Sequence, residues 1–149
     1  MTRSNRSITQ FAVNRLVDFI SNPNPEFLSE AQGNTTVSVH LDKTSNELTF
    51  QVFLFDTSVF ELDARCLIVR NGGFFDSKGR PSKTTRERLN GLLDASGELG
   101  LIPKGVRAFL GNNGQKETCL VGRGENVGLL DSASADRVIV RDSDKLLIF

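Results

Sequence analysis

The sequence predicts an α+β fold: a mainly antiparallel β-sheet with an N-terminal helix and one central helix. Two stretches carry apolar residues at helical spacings of three and four, while others alternate apolar with polar residues between Gly, Asn, Asp and Pro. Strands follow one another in groups, without the strand-helix repeat that builds a parallel sheet. A length of 149 residues suits one domain, expected to span 1–149.

Residues 1–6 are polar and read as a disordered terminus. Ser7 and Gln10 stand at capping-box spacing, so the first helix is expected to open at Ser7, with Ile8, Phe11, Ala12, Leu16, Phe19 and Ile20 as its apolar stripe. Asn22-Pro23-Asn24-Pro25 stops it, and a short helical turn is expected over residues 26–31, closed by Gly33. From Thr35 the period becomes two: Val37, Val39 and Leu41 share one face of a strand and Thr36, Ser38 and His40 the other. Residues 42–46 read as a turn. A second strand over 47–56 places Leu48, Phe50, Val52 and Leu54 on one face and Phe53 and Phe55 on the other, which predicts cover on both sides. A third strand is expected over 59–70, ended by Asn71-Gly72-Gly73.

Residues 74–83 form a basic, Gly- and Pro-containing loop. Thr84 and Glu87 again match a capping box, so the central helix is expected to begin at Thr84, with Leu89, Leu92 and Leu93 buried and Gly97 and Gly100 marking its exit. Strands over 105–110 and 116–121 flank an Asn112-Asn113-Gly114 turn. Two short strands, 137–141 and 145–149, follow a polar stretch. The final Leu146-Leu147-Ile148-Phe149 is apolar enough to pack inside a sheet or against a second copy, giving a homodimer.

Composition excludes several kinds of chemistry. With 18 basic and 18 acidic side chains the chain is neutral overall, so attraction to nucleic acid must be local. Eleven Phe, with no Tyr and no Trp, argue that most rings are core. Cys66 and Cys119 lie far apart in expected strands and read as reduced thiols rather than a disulfide. The single histidine, His40, falls on a polar strand face, and clustered His and Cys ligands are too few for a metal site. Glu47, Asp56, Glu61 and Asp63 leave a carboxylate-based hydrolase open if they converge in space, but acids beside strand ends usually mark turns. The expectation is a non-enzyme that uses no cofactor and no metal. No apolar run reaches the ~20 residues that cross a bilayer, so a cytoplasmic protein without a membrane partner is expected.

Asn71-Gly72-Gly73-Phe74, followed by Thr84-Thr85-Arg86-Glu87-Arg88-Leu89-Asn90 and a hairpin, resembles a family of small domains encoded by bacteriophages and mobile elements. The similarity covers roughly residues 60–122 and lies in an Asn-Gly-Gly-aromatic turn ahead of a Thr-Thr-Arg-Glu-Arg-Leu-Asn helix start. It implies a viral origin, hence action in a host cytoplasm, and transfers no catalytic residue.

Between Asp63 and Asn90, seven basic residues face three acidic ones, the one charge asymmetry in the sequence. Lys78, Arg80, Lys83, Arg86 and Arg88 are the candidate partner-binding residues. Arg86 and Arg88 oppose the macrodipole in the first turn of the expected helix, a conflict that a bound phosphate reverses. Against this, Glu87 and nearby acids can pair with them, leaving a solvated face. Lys78-Gly79-Arg80-Pro81 resembles the centre of an AT-hook but lacks the preceding Pro-Arg, and reads more simply as a turn. Gly122-Arg123-Gly124-Glu125-Asn126-Val127-Gly128 has the wrong glycine spacing for a dinucleotide loop and reads as a loop between strands. The expected function is binding of nucleic acid, or of a nucleic-acid-containing host complex, through the basic loop and helix start. The alternatives are a protein inhibitor of a host defence system, of the anti-CRISPR kind, and a virion or assembly component.

Overall fold

In the computed structural model, which describes residues 2–22, 29–44, 46–70, 82–113, 116–130 and 137–140, the first helix opens earlier than its capping pattern predicts. Thr2 is the N-cap, its Oγ1 accepting from the Asn5 amide at 3.1 Å, and α1 runs Arg3–Ser21. The polar start is therefore helical rather than disordered, because a threonine hydroxyl satisfies an amide that would otherwise lack a partner. Thr9, Ala12 and Leu16 are its buried face.

Four antiparallel strands and a short fifth follow: β1 (Ser29–Gln32), β2 (Thr35–Asp42), β3 (Glu47–Leu54), β4 (Thr57–Leu62) and β5 (Cys66–Val69). Helix α2 (Lys83–Glu98) precedes β6 (Arg107–Asn113), β7 (Lys116–Arg123), β8 (Asn126–Leu130) and β9 (Arg137–Val140). A six-stranded sheet has the order β1-β2-β3-β4-β5-β9, and a three-stranded sheet the order β6-β7-β8. Every pairing is antiparallel, so the α+β class is as the sequence indicates.

Several local expectations are corrected. Ser29–Gln32 is an edge strand paired with β2, not a helical turn, and Gly33-Asn34 is the hairpin turn between them. The expected long third strand is a hairpin. Asp63 Oδ1 accepts from the amides of Arg65 at 2.7 Å and Cys66 at 2.9 Å, a side-chain-built turn that divides β4 from β5. The stretch 122–128, read as a loop between strands, does join two strands but is shorter than expected: Gly124, at φ 58°, lies in the β7–β8 turn between the paired Arg123 and Asn126. The central helix starts one turn's fraction earlier than Thr84: Ser82 Oγ accepts from the Thr85 amide at 3.2 Å. At its other end Gly100, φ 75°, donates to Gly97 O while the Leu101 amide donates to Ser96 O, a Schellman closure that places Gly97 inside the helix. The expected strand 145–149, and with it the apolar terminus offered as a dimer contact, lies outside the described residues.

The alternation of β2 and β3 holds: Val37, Val39, Phe50, Val52 and Leu54 are buried. They face the helices, with Phe19 of α1 against Phe50 (centroids 5.5 Å) and Phe60 edge-on to Phe50 (6.3 Å). The opposite face of β3, expected to be covered, is only half-buried. Phe53 is half-buried, and Phe55, in the β3–β4 turn at φ 53°, is 76% exposed. Both helices contribute to a single cluster of buried apolar side chains that also takes in Val106, Ala108, Cys119 and Val121 of the second sheet region.

The two helices lie side by side and run in the same direction. Near their N-termini Asn5 Nδ2 donates to Glu87, and further along Thr9 sits against Gly91, where a Cβ would come within 2.4 Å of Thr9 Cγ2. Between these contacts lies Arg88, 0% exposed. Its guanidinium donates to Asn5 O at 3.0 Å, Thr9 Oγ1 at 2.5 Å and Asn34 Oδ1 at 3.2 Å, joining α2 to α1 and to the β1–β2 turn. Burial lowers its pKa to about 10, with the Glu87 charge acting the other way, so it stays a cation at neutral pH. Its acceptors are neutral oxygens.

Removing this fork breaks three hydrogen bonds and leaves a cavity between the helices. Arg88→Ala is expected to destabilise the fold by about 3 kcal/mol or more. Arg86→Ala, at a half-exposed position two residues away, is expected to stay within about 0.5 kcal/mol. Urea unfolding of the two variants side by side checks the contrast.

Candidate nucleic-acid interface

Of the five candidate residues, the three that are described separate in the fold. Lys78 and Arg80 lie outside the described residues. Lys83 is exposed in the first turn of α2, 3.9 Å from Glu87 Oε1, a loose i,i+4 pair. Arg88 is interior, which corrects its assignment to a binding surface: its hydrogen-bonding capacity is turned onto α1 and the β1–β2 turn. Arg86 is half-exposed, and among the described residues it has no ion pair.

The geometry around Arg86 was not foreseen. Lys83, Arg86, Asn90 and Asp94 succeed one another at spacings of three and four along one flank of α2. That flank abuts the open edge of β6. Asn90 Nδ2 donates to Ala108 O at 2.8 Å and Asn90 Oδ1 accepts from the Ala108 amide at 2.7 Å. One side-chain amide thus stands in for a neighbouring strand, satisfying an edge that would otherwise present bare backbone groups.

Beside this seam is a hollow of about 430 Å3, lined by Arg86 of α2, Arg107 and Phe109 of β6, Arg123 of β7 and the backbone of Gly122 and Gly124. Three arginines from three elements meet there. Arg123 Nη1 donates to Lys104 O at 3.2 Å, which fixes the guanidinium without neutralising it. Arg107 Nε lies 3.5 Å from Asp94 Oδ1, an exposed pair on both sides and weak for that reason. Glu125, on the neighbouring β7–β8 turn, is exposed. Behind the floor lies Cys119, fully buried; burial pushes its thiol up to about 12 while the Arg86 charge pulls the other way, so it remains protonated.

Strand register explains the lining. Arg107 pairs with Gly122 and Phe109 with Leu120, so Arg107 and Phe109 share the sheet face turned away from the core, whereas Ala108 and Val121 point inward and are buried. Gly122 gives Arg107 no side chain to pack against, which keeps the notch open. No protein-family model matches the chain, and neither does any curated protein or solved structure.

Several other described titratable groups sit away from the hollow. His40 is exposed on β2, opposite Thr49. Glu61 is engaged by Arg70 and Gln51, and Asp63 builds its turn. Cys66 and Cys119 are free thiols, and the Cys66 pKa is raised by burial and by the neighbouring Asp63. Among the described residues no group of His, Cys, Asp and Glu stands together to hold a metal ion, and no helix is long and apolar enough to cross a membrane.

Asn90→Ala removes both hydrogen bonds to Ala108 and is expected to lower stability by about 1–3 kcal/mol. The same change is expected to release the Ala108 amide, read as faster hydrogen exchange at that residue than at its neighbours in β7.

Proposed function

We propose that this protein binds nucleic acid, alone or within a larger complex, through the hollow between α2 and the β6–β7 hairpin. The observation that carries this reading is the convergence of Arg86, Arg107 and Arg123 from three separate elements on one concave surface, where among the described residues the carboxylate paired with these arginines is the exposed Asp94. Guanidinium groups held apart by a rigid scaffold suit phosphate oxygens: each presents several N–H donors and stays charged at any physiological pH. The chain is neutral as a whole, so attraction concentrated in this hollow orients a polyanion rather than merely collecting it. Lys83, on the same flank of α2, extends the positive surface toward the helix N-terminus, where the helix dipole also favours an anion.

Three phosphate contacts give a slope of log affinity against log salt of about −2 to −3. Fluorescence anisotropy with a labelled oligonucleotide is expected to show that slope, and each Arg→Ala change at 86, 107 or 123 is expected to reduce it by about 0.7–0.9. A slope near zero, or a triple variant that binds as the parent does, overturns the proposal.

A further inference from the structure

We infer that the nucleic acid taken by this hollow is single-stranded, with an unpaired base stacked on Phe109; this deepens the binding reading above and rests on it. Phe109 is the aromatic ring in the hollow's lining and is 38% exposed. It stands two residues from Arg107 on the same face of β6, a separation of roughly 7 Å along the strand. A phosphate held by that guanidinium therefore leaves its own or the adjacent base within reach of the ring.

The ring's surroundings keep its face accessible. Gly111, next on the same face, carries no side chain, and a Cβ there would come within 2.6 Å of Leu120 Cδ1, so Leu120 already occupies that space. Leu120, half-buried, and Val127, 40% exposed, continue the apolar surface across β7 and β8, and Gly122 separates Val127 from Arg107. The result is a small apolar platform with cations along one border: apolar for a base, positive for the phosphate beside it.

Size and chemistry both argue against a duplex as the occupant. A space of a few hundred Å3 is the scale of a small organic ligand such as a nucleotide, not of a double helix. In a duplex the faces of the bases are covered by their stacked neighbours and the grooves show edges alone, so an aromatic face has nothing to stack on without prior unpairing. An unpaired strand offers a base face and a flexible backbone together. Base-on-aromatic stacking also accepts any base, which gives a preference for strandedness without strong sequence readout.

The test is anisotropy with oligothymidine DNA, oligouridine RNA and a duplex of equal length, on the parent, Phe109→Ala, Phe109→Leu and Phe109→Trp. Tighter binding of either single strand than of the duplex is expected, and the stronger of the two reports which polymer is preferred. Phe109→Ala and Phe109→Leu are expected to weaken single-strand binding roughly 5- to 150-fold while changing duplex binding little, and Phe109→Trp is expected to preserve it. Because the leucine variant keeps apolar bulk, its loss reports the ring rather than folding. If the duplex binds as well as the single strands and Phe109→Leu changes nothing, the stacking inference fails while the arginine reading stands. If none of the three nucleic acids binds the parent, both fail.

Discussion

A charged guanidinium in the interior sets the arrangement of nearly everything else. Arg88 joins three segments that are distant in sequence: the first turns of α1, the β1–β2 turn and α2 itself. None of its acceptors is a carboxylate. A buried cation with neutral acceptors gives up hydration for hydrogen bonds alone, and it persists because each of those bonds is charge-assisted. The Thr9–Gly91 approach just beyond it lets two parallel helices close to side-chain contact. With α2 fixed against α1 and the six-stranded sheet, its far flank is fixed as well, and Asn90 can hold β6 through Ala108. The hollow is a consequence of that chain of constraints.

Helix α2 accordingly performs three jobs on three flanks. Thr85, Leu89, Leu92 and Ser96 are buried; Arg88 and Gly91 meet α1; Arg86 and Asn90 border the hollow. The positive charge that α2 itself carries in its first turns is divided among these flanks: Arg88 is interior, while Lys83 and Arg86 reach solvent. Part of it is spent inside, and the part that faces solvent is joined by Arg107 and Arg123 from strands far along the chain.

Much of the architecture was legible in the sequence because it is written in short-range periodicity. The stripe of α1 and the alternation of β2 and β3 are local patterns that burial then amplifies. The failures have specific causes. The 59–70 stretch alternates like one strand, and it becomes a hairpin because the Asp63 carboxylate accepts two amides; the loop expected over 122–128 narrows to a turn at Gly124 because Arg123 pairs with Asn126. For the site, one available signal was overlooked. Arg86 and Arg88 are two residues apart, about 200° around a helix, so they cannot serve the same surface. Arg88 instead lines up with Thr85 and Leu92 at spacings of three and four, on the apolar side. What no local pattern could give is the meeting of Arg86 with Arg107 and Arg123, since strand register and the Asn90 seam decide it.

The central claim is a division of labour among arginines: Arg88 builds the fold, and Arg86, Arg107 and Arg123 meet the ligand. Arginine side-chain Nε–Hε resonances of 15N-labelled protein, followed by NMR as a single-stranded oligonucleotide is added, test it most directly. We expect the signals of Arg86, Arg107 and Arg123 to shift together and saturate at one ligand concentration while that of Arg88 stays in place. A titration that leaves those three unmoved, or that moves Arg88 as far as it moves them, contradicts the claim.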